Sequence, residues 1–543
     1  MNHKTEWDLS VYYKNENDPK IEKDIRTAEK ACVSFERKYR NKDYTSTPKK
    51  LLGAMKDYES LVIAVSGAKA SRYFYHRKDL NSEDNVAGAM LTKIDNRLTK
   101  TLNKLVFFDI DLSKIPVNKQ KIFLSDKNLA PYAFYLKKIF ENAKHMLSEK
   151  EEQLASLLSQ TSSSMWVDGQ EKLLNIQTLE FKGENIPVPK AMSILADLPK
   201  DERNLLGNKI NKVLKSVSFF AESELNAVYN FKKVMDERRG FKTQYDSTLL
   251  SNHNDPKTIK ILTDVVTKNF GISHRFYKLH AKLLKEKKLS VSDRSVKIGE
   301  IKKKFDYETS VKVVGDVFEK VGPVYKNIFD KIVNNSQVDV YPKKGKTGGA
   351  YCSGGYDVPT IILLNHTDDL RSLETLAHEM GHAVHTEIAK VQPVLYQDYS
   401  YSTAEVASTF FEQVTLSEIE DQFTNEEKII LLHNKIMGDI STIFRQIACF
   451  NFELELHNRI RAEGQLSKED MAKLLRKHLE SYLGEAFNVT DDDGYYFVSW
   501  SHIRRFFYVY TYAYGQLISR ALFENWKKDK KYAEKIEKFF EMN

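Results

Sequence analysis

Apolar residues recur at helical spacing through most of this 543-residue chain. Ile21, Ile25, Ala28, Cys32 and Phe35 step by four, three, four and three, which predicts one buried face of a long helix. The same pattern runs from about residue 17 to 160 and predicts several long antiparallel helices. Thr178–Pro187, centred on Lys182-Gly183-Glu184-Asn185, predicts a small hairpin. Helical spacing resumes over about 190–288 and weakens between about 289 and 305, where a connector is expected. The apolar run Thr360–Asn365 predicts a short strand. Thr367-Asp368-Asp369 then predicts a helix start, and Leu370, Leu373, Leu376 and Ala377 form that helix's buried stripe. With only 12 Pro and 22 Gly, breakers are scarce, so the expected class is mostly α with a small β-sheet.

The helix begun at Leu370 carries His378-Glu379-Met380-Gly381-His382. Two histidines four residues apart share one helical face, so their imidazoles can converge on one Zn²⁺. Glu379 can then reach a water in the open coordination position and act as general base. Two ordinary buried histidines would give the same letters, but the strand-then-helix context favours the metal reading.

A catalytic zinc needs a third protein ligand. His385 lies seven residues past His378, about 10.5 Å along a helix, too far for one ion; it is expected to pack or support. The longer signature with a third histidine needs Gly at 385 and His at 388, and the chain has His385 and Ile388. A second helix restarts at Ser402-Thr403, either of which can cap it, and puts Glu405 in its first turn. Glu405 is the favoured ligand over Glu387, which points elsewhere on the first helix. Glu412, at i+7 from Glu405, is either an acceptor behind a ligand histidine or an exposed acid.

Gly345-Lys346-Thr347 imitates the tail of a phosphate-binding loop, but Val340 stands where that loop needs Gly. The glycines, Gly348 and Gly349 among them, instead suit a loop that brings backbone close to a ligand. Near the other end, His502, Tyr508 and Tyr512 are candidate donors to a substrate oxyanion, the alternative being an aromatic core stripe. Tyr510 and Tyr514 fall on another face and are expected to pack. The expected division is an N-terminal helical domain, 1–190, and a catalytic domain, 191–543, with short strands around 336–365.

Charge narrows the field. The formal net charge of +8 is small for this length and demands neither nucleic acid nor an anionic membrane. The run Lys282–Lys288 reads as a solvated helix end. Three widely spaced cysteines suggest no disulfide framework and a reducing cytoplasm. No signal peptide or membrane span is visible, and no protein partner is expected.

The two motif segments, His378–His382 and Ala404-Glu405-Val406-Ala407-Ser408-Thr409, resemble the oligoendopeptidase F family, relatives of the thimet-type oligopeptidases. Trp7-Asp8-Leu9-Ser10, Asp18-Pro19-Lys20-Ile21, Gly345–Cys352, Gly355-Tyr356-Asp357 and the His502/Tyr508/Tyr512 cluster resemble further segments of that family, in the same order. The resemblance implies one Zn²⁺ held by His378, His382 and Glu405, with a peptide substrate. It implies a two-part helical shell around a deep channel that admits short unfolded peptides, with a zincin-like core. It also implies that His502, Tyr508 and Tyr512 bind substrate or its oxyanion, and that Pro359–Asn365 is an edge strand. The expected activity is cleavage within short peptides; removal of residues from chain ends is the alternative.

Overall fold

The computed structural model describes residues 3–67, 69–397 and 399–542. Among the described residues helices dominate, and five strands form two small sheets. Strands β1 (Thr178–Phe181) and β2 (Glu184–Pro187) make the expected antiparallel hairpin, turned by Lys182 and Gly183 at φ 53° and 82°. Strands β3 (Val338–Asp339), β4 (Tyr351–Gly355) and β5 (Val358–Leu363) form the second sheet in the order β3-β5-β4. Strand β5 runs parallel to β3 and antiparallel to β4.

That order corrects one expectation. Strand β5, covering most of Pro359–Asn365, is central rather than an edge. Its second neighbour, β3, is two residues long, too short to leave an alternating pattern in the sequence. The outer side of β3 is covered in turn: Val340 N–H donates to Thr5 O, Asp8 N–H to Ser336 O, and the Trp7 indole N–H to Ile362 O at 2.8 Å. Strand β4 is therefore the edge.

The chain forms two compact units, neither continuous in sequence. One comprises residues 1–153, 302–420 and 518–543; the other 154–301 and 421–517. This differs from a single cut near 190. The hairpin packs with the second unit, and residues 421–517 leave the segment that carries the motif. The break at 301/302 does fall in the expected connector, which is irregular from Arg294 to Asp306.

In the first unit, the helix Pro19–Tyr39 buries Ile21, Ile25, Ala28, Cys32 and Phe35, the stripe read from the sequence. The motif helix is Leu370–Ala389; Asp369 caps it by accepting from Ser372 N–H. The Glu405 helix is Tyr401–Ile419, with Ser400 as N-cap. It thus starts before the expected Ser402 or Thr403, and Glu405 falls in its second turn. The second unit is built on a 40-residue helix, Lys200–Arg239, stopped by Gly240 at φ 70°. Among the described residues no helix is long and apolar enough to cross a membrane.

Candidate active site

Gly381, inside the H-E-M-G-H segment, sets the spacing of the site. A Cβ there would lie 2.6 Å from Ser408 Cα and 2.7 Å from Ala407 O. Only glycine lets the motif helix and the Glu405 helix approach this closely. Strand β4 approaches the motif helix in the same way: a Cβ on Gly354 would lie 2.5 Å from Thr386 Cγ2.

The close crossing brings three donors together. His378 Nε2 lies 3.4 Å and His382 Nε2 3.6 Å from Glu405 Oε2. One donor atom from each residue falls within 4.8 Å of the others. Glu412 Oε2 is 3.2 Å from His378 Nδ1, behind the ring. That bond fixes Nδ1 as the protonated nitrogen and leaves Nε2 for a ligand. Ser408 Oγ donates to Glu405 Oε2 at 3.0 Å. His385 is fully buried and stacks on Tyr399 at 4.1 Å, so it packs as expected. Glu387 bonds to Thr360 and Lys390, away from the cluster.

The electrostatics suit a cation. Burial alone would depress His378, but its hydrogen bonds to Glu405 and Glu412, with the Glu379 charge, hold it well above the usual histidine range. Burial, then the His378 charge, lowers His382 to about 4. Burial opposes ionisation of Glu405, yet His378 and His382 bring it down to about 2. Two imidazoles and a carboxylate are the donor set of a catalytic zinc with one position left open.

Glu379 is buried, and its Oε2 has no hydrogen-bond partner. Burial, with the Glu405 charge, raises it to about 7 against the opposing His378 charge and the Cys352 N–H. A carboxyl near neutrality, one oxygen unengaged, suits proton transfer at physiological pH. The facing Cys352 belongs to β4, so the edge strand and the general-base candidate are neighbours.

The glycine loop also lies in this unit. Asn365 Nδ2 donates to Thr347 O and Gly349 O at 2.9 and 2.8 Å, and Gly349 has φ 78°. A Cβ on Gly348 would meet open space. Lys346 is fully buried against Asp339 at 2.7 Å, which explains its presence without a phosphate.

In the second unit His502, Tyr508 and Tyr512 form one part-exposed cluster. Tyr508 O–H bonds to His502 Nδ1, and Tyr512 Oη lies 3.5 Å from Tyr508 Oη. Tyr508 precedes the helix Tyr510–Lys528, so the pair meets across the helix start rather than along one face. Tyr510 is buried and donates to Asn254, as expected of a packing residue. Burial, with Arg445 and Arg505, lowers His502 to about 4, so its ring is neutral at pH 7.

The turn ahead of Tyr508 is strained. Phe506 and Phe507 have φ 51° and 61°, a left-handed conformation that bulky residues adopt only when held. Glu453 Oε1 accepts from Phe507 N–H at 2.9 Å, Thr248 Oγ1 donates to Phe506 O, and Tyr229 Oη donates to Ile503 O. The buried Arg504–Glu224 pair, two bonds of 2.7 Å, anchors the preceding residues. None of these supports was legible in the sequence, because each comes from a distant segment.

Comparison with known proteins identifies the family. The profile of Peptidase family M3 matches residues 221–538, and that of Oligopeptidase F matches 112–174. The chain belongs to peptidase family M3. As a family M3 member it is a metallopeptidase. An oligoendopeptidase F homolog of Borreliella burgdorferi is 26% identical, over 98% of this chain and 90% of its own length. Oligopeptidase PepF of Bacillus subtilis is 27% identical, over 83% and 69%. The crystal structure of oligoendopeptidase-F from Enterococcus faecium superposes with a TM-score of 0.69 at 18% identity, covering 96% of this chain and 89% of that one. The M3 fold is thus shared along nearly the whole chain.

Proposed function

We propose that this chain is a zinc-dependent oligoendopeptidase that cuts within short unfolded peptides. The observation that carries the reading is the convergence of His378 Nε2, His382 Nε2 and Glu405 Oε2 beside a buried, half-unpartnered Glu379. His378, His382 and Glu405 hold the metal, and Glu412 orients His378. Bound zinc supplies Lewis acidity toward water and the scissile carbonyl.

Glu379 takes the proton from the attacking water and delivers it to the departing amine. Its unengaged Oε2 is the atom available for both transfers. Strand β4, the edge of its sheet, is the element we assign to an extended peptide, which would pair beside the Arg72–Gly354 bond, with Gly348 and Gly349 in the loop that leads into it. Pairing through backbone would make recognition tolerant of side chains. We assign the tautomer in which His502 Nδ1 accepts from Tyr508 and the neutral ring carries its proton on Nε2. That N–H is the donor we assign to substrate oxygen, with Tyr508 fixing the tautomer and Tyr512 backing Tyr508. Their assignment to the same substrate rests on the family resemblance. All three cysteines are unpaired, which suits turnover of peptides in a reducing cytoplasm.

The test pairs metal analysis with cleavage of an internally quenched peptide blocked at both ends. Wild type should bind about one zinc per chain and cut the peptide internally until a chelator is added. Glu379→Gln should keep the metal and lose turnover. A blocked peptide left intact while free-ended peptides are trimmed would assign the enzyme to exopeptidases instead.

A further inference from the structure

Buried arginines in the second unit usually have acids. Arg203 pairs with Asp293 and Arg504 with Glu224, each at 2.7 Å. Arg294 and Arg445, each only part-buried, differ: among the described residues neither forms an ion pair. Both flank one ring. The guanidinium carbons of Arg294 and Arg445 lie 5.5 and 6.0 Å from the centre of Tyr496, and Arg445 Nη2 donates to Tyr496 Oη at 3.3 Å. Arg445 also stacks on Trp500 at 4.8 Å. It closes a π-helical turn, Ile440–Arg445, in an otherwise α-helical run, a local irregularity often found at functional sites.

The surrounding polar atoms point the same way. Trp500 Nε1 and Tyr482 Oη are buried and have no hydrogen-bond partner. An indole N–H can only donate, so what completes it must be an acceptor. Burial should raise Tyr496, but the charges of Arg445 and Arg294 outweigh it and lower the phenol. The same Arg445 charge reaches His502. Two cations and two orphaned donors, with no acid paired to the cations among the described residues, have the chemistry to accept an anion near the His502 cluster.

We propose that Arg294 and Arg445, with Trp500, bind a carboxylate of the peptide substrate. Every unblocked peptide brings one such group at its C-terminus, whatever its sequence, and acidic side chains supply others. Planar guanidinium forks match a carboxylate's two oxygens. A fixed anchor for the terminal carboxylate would also favour short chains. This inference rests on the oligopeptidase reading above. A free inorganic anion has the same chemistry and is the alternative occupant.

The experiment compares one peptide as free acid and as C-terminal amide, and a second, amidated pair differing by Glu and Gln. Each is measured for wild type, Arg294→Met, Arg445→Met and Arg445→Lys, with and without sodium chloride at constant ionic strength. Wild type should prefer an acid over its neutral partner by roughly 10- to 100-fold in kcat/KM, mainly through KM. The ratio should fall toward one in both Met variants and partly recover in Arg445→Lys. Because each ratio is taken within one variant, a general loss of folded enzyme does not alter it. Preference in the first pair assigns the terminal carboxylate, and in the second an acidic side chain. Equal cleavage of acid and neutral peptides by wild type overturns the proposal. If chloride then raises activity in wild type but not in the Met variants, the site holds a free ion. A wild type that cuts no peptide would sink the oligopeptidase reading itself. In that event a chloride-dependent rise in Tm, absent in Arg445→Met, would still report an anion receptor, and its absence would remove that too.

Discussion

Gly381 sits against the backbone of Ser408: a Cβ on the first would stand 2.6 Å from Cα of the second. The candidate metal-donor cluster depends on this crossing, since Glu405 reaches the histidines only because the two helices touch. Gly381→Ala should force them apart. We expect a loss of about 1–3 kcal/mol in stability and a lower zinc content per folded chain. Chemical denaturation with metal analysis checks both, and a variant with wild-type zinc content and stability would refute the role of the crossing.

Glu412 touches His378 Nδ1 but none of the other donors. Glu412→Ala should weaken metal binding by roughly 10- to 100-fold while leaving the fold intact. Competition with a chelator of known affinity reads the effect directly. An unchanged zinc affinity would make Glu412 a surface acid.

Tyr508→Phe removes the hydroxyl that holds His502 in one tautomer and keeps the ring. The expected result is a fall in kcat of roughly 10²-fold with little change in KM, as for loss of one oxyanion donor. A fall confined to KM would point to substrate packing instead.

Glu453 gives a pH signature unrelated to the metal. Burial holds its carboxyl well above the usual range, so the native state keeps a proton that the unfolded chain releases above about pH 4.3. The native form then binds more protons than the unfolded one. Stability falls as pH rises through that window, by about 1.4 kcal/mol per pH unit for a single group. Glu453→Gln retains an oxygen for Phe507 N–H and has no proton to lose. Its stability relative to wild type should therefore grow from about pH 5 to about pH 8 in urea melts. A flat difference would mean the acid is ionised in the native state.

Much of this was legible in the order of residues. The stripe from Ile21 to Phe35, the hairpin at Lys182-Gly183 and the His–His–Glu donors follow from local periodicity, turn chemistry and ligand spacing. The helix start at Ser400 was missed because Ser400, Ser402 and Thr403 are all N-cap residue types, and the local letters do not choose among them. The edge strand was misassigned because edge or centre is decided by partners, here Thr5–Asp8 and a two-residue β3, not by the strand's own letters. The domain boundary escaped for a related reason: each unit is assembled from separated stretches. Arg294 and Arg445 carry no motif that would single them out in the sequence. Only the fold shows that no acid accompanies them.

The assembly of the metal-donor unit from three stretches has a consequence for synthesis. Residues 518–543 supply Ser519, which accepts from Gln413 on the Glu405 helix, and Trp526, which packs on Phe410 of that helix. Until they leave the ribosome, the helix that presents Glu405 lacks part of its packing. A half-made chain therefore carries the H-E-M-G-H letters without a finished catalytic scaffold. A product ending at residue 517 should therefore be less stable and hold the Glu405 helix less firmly.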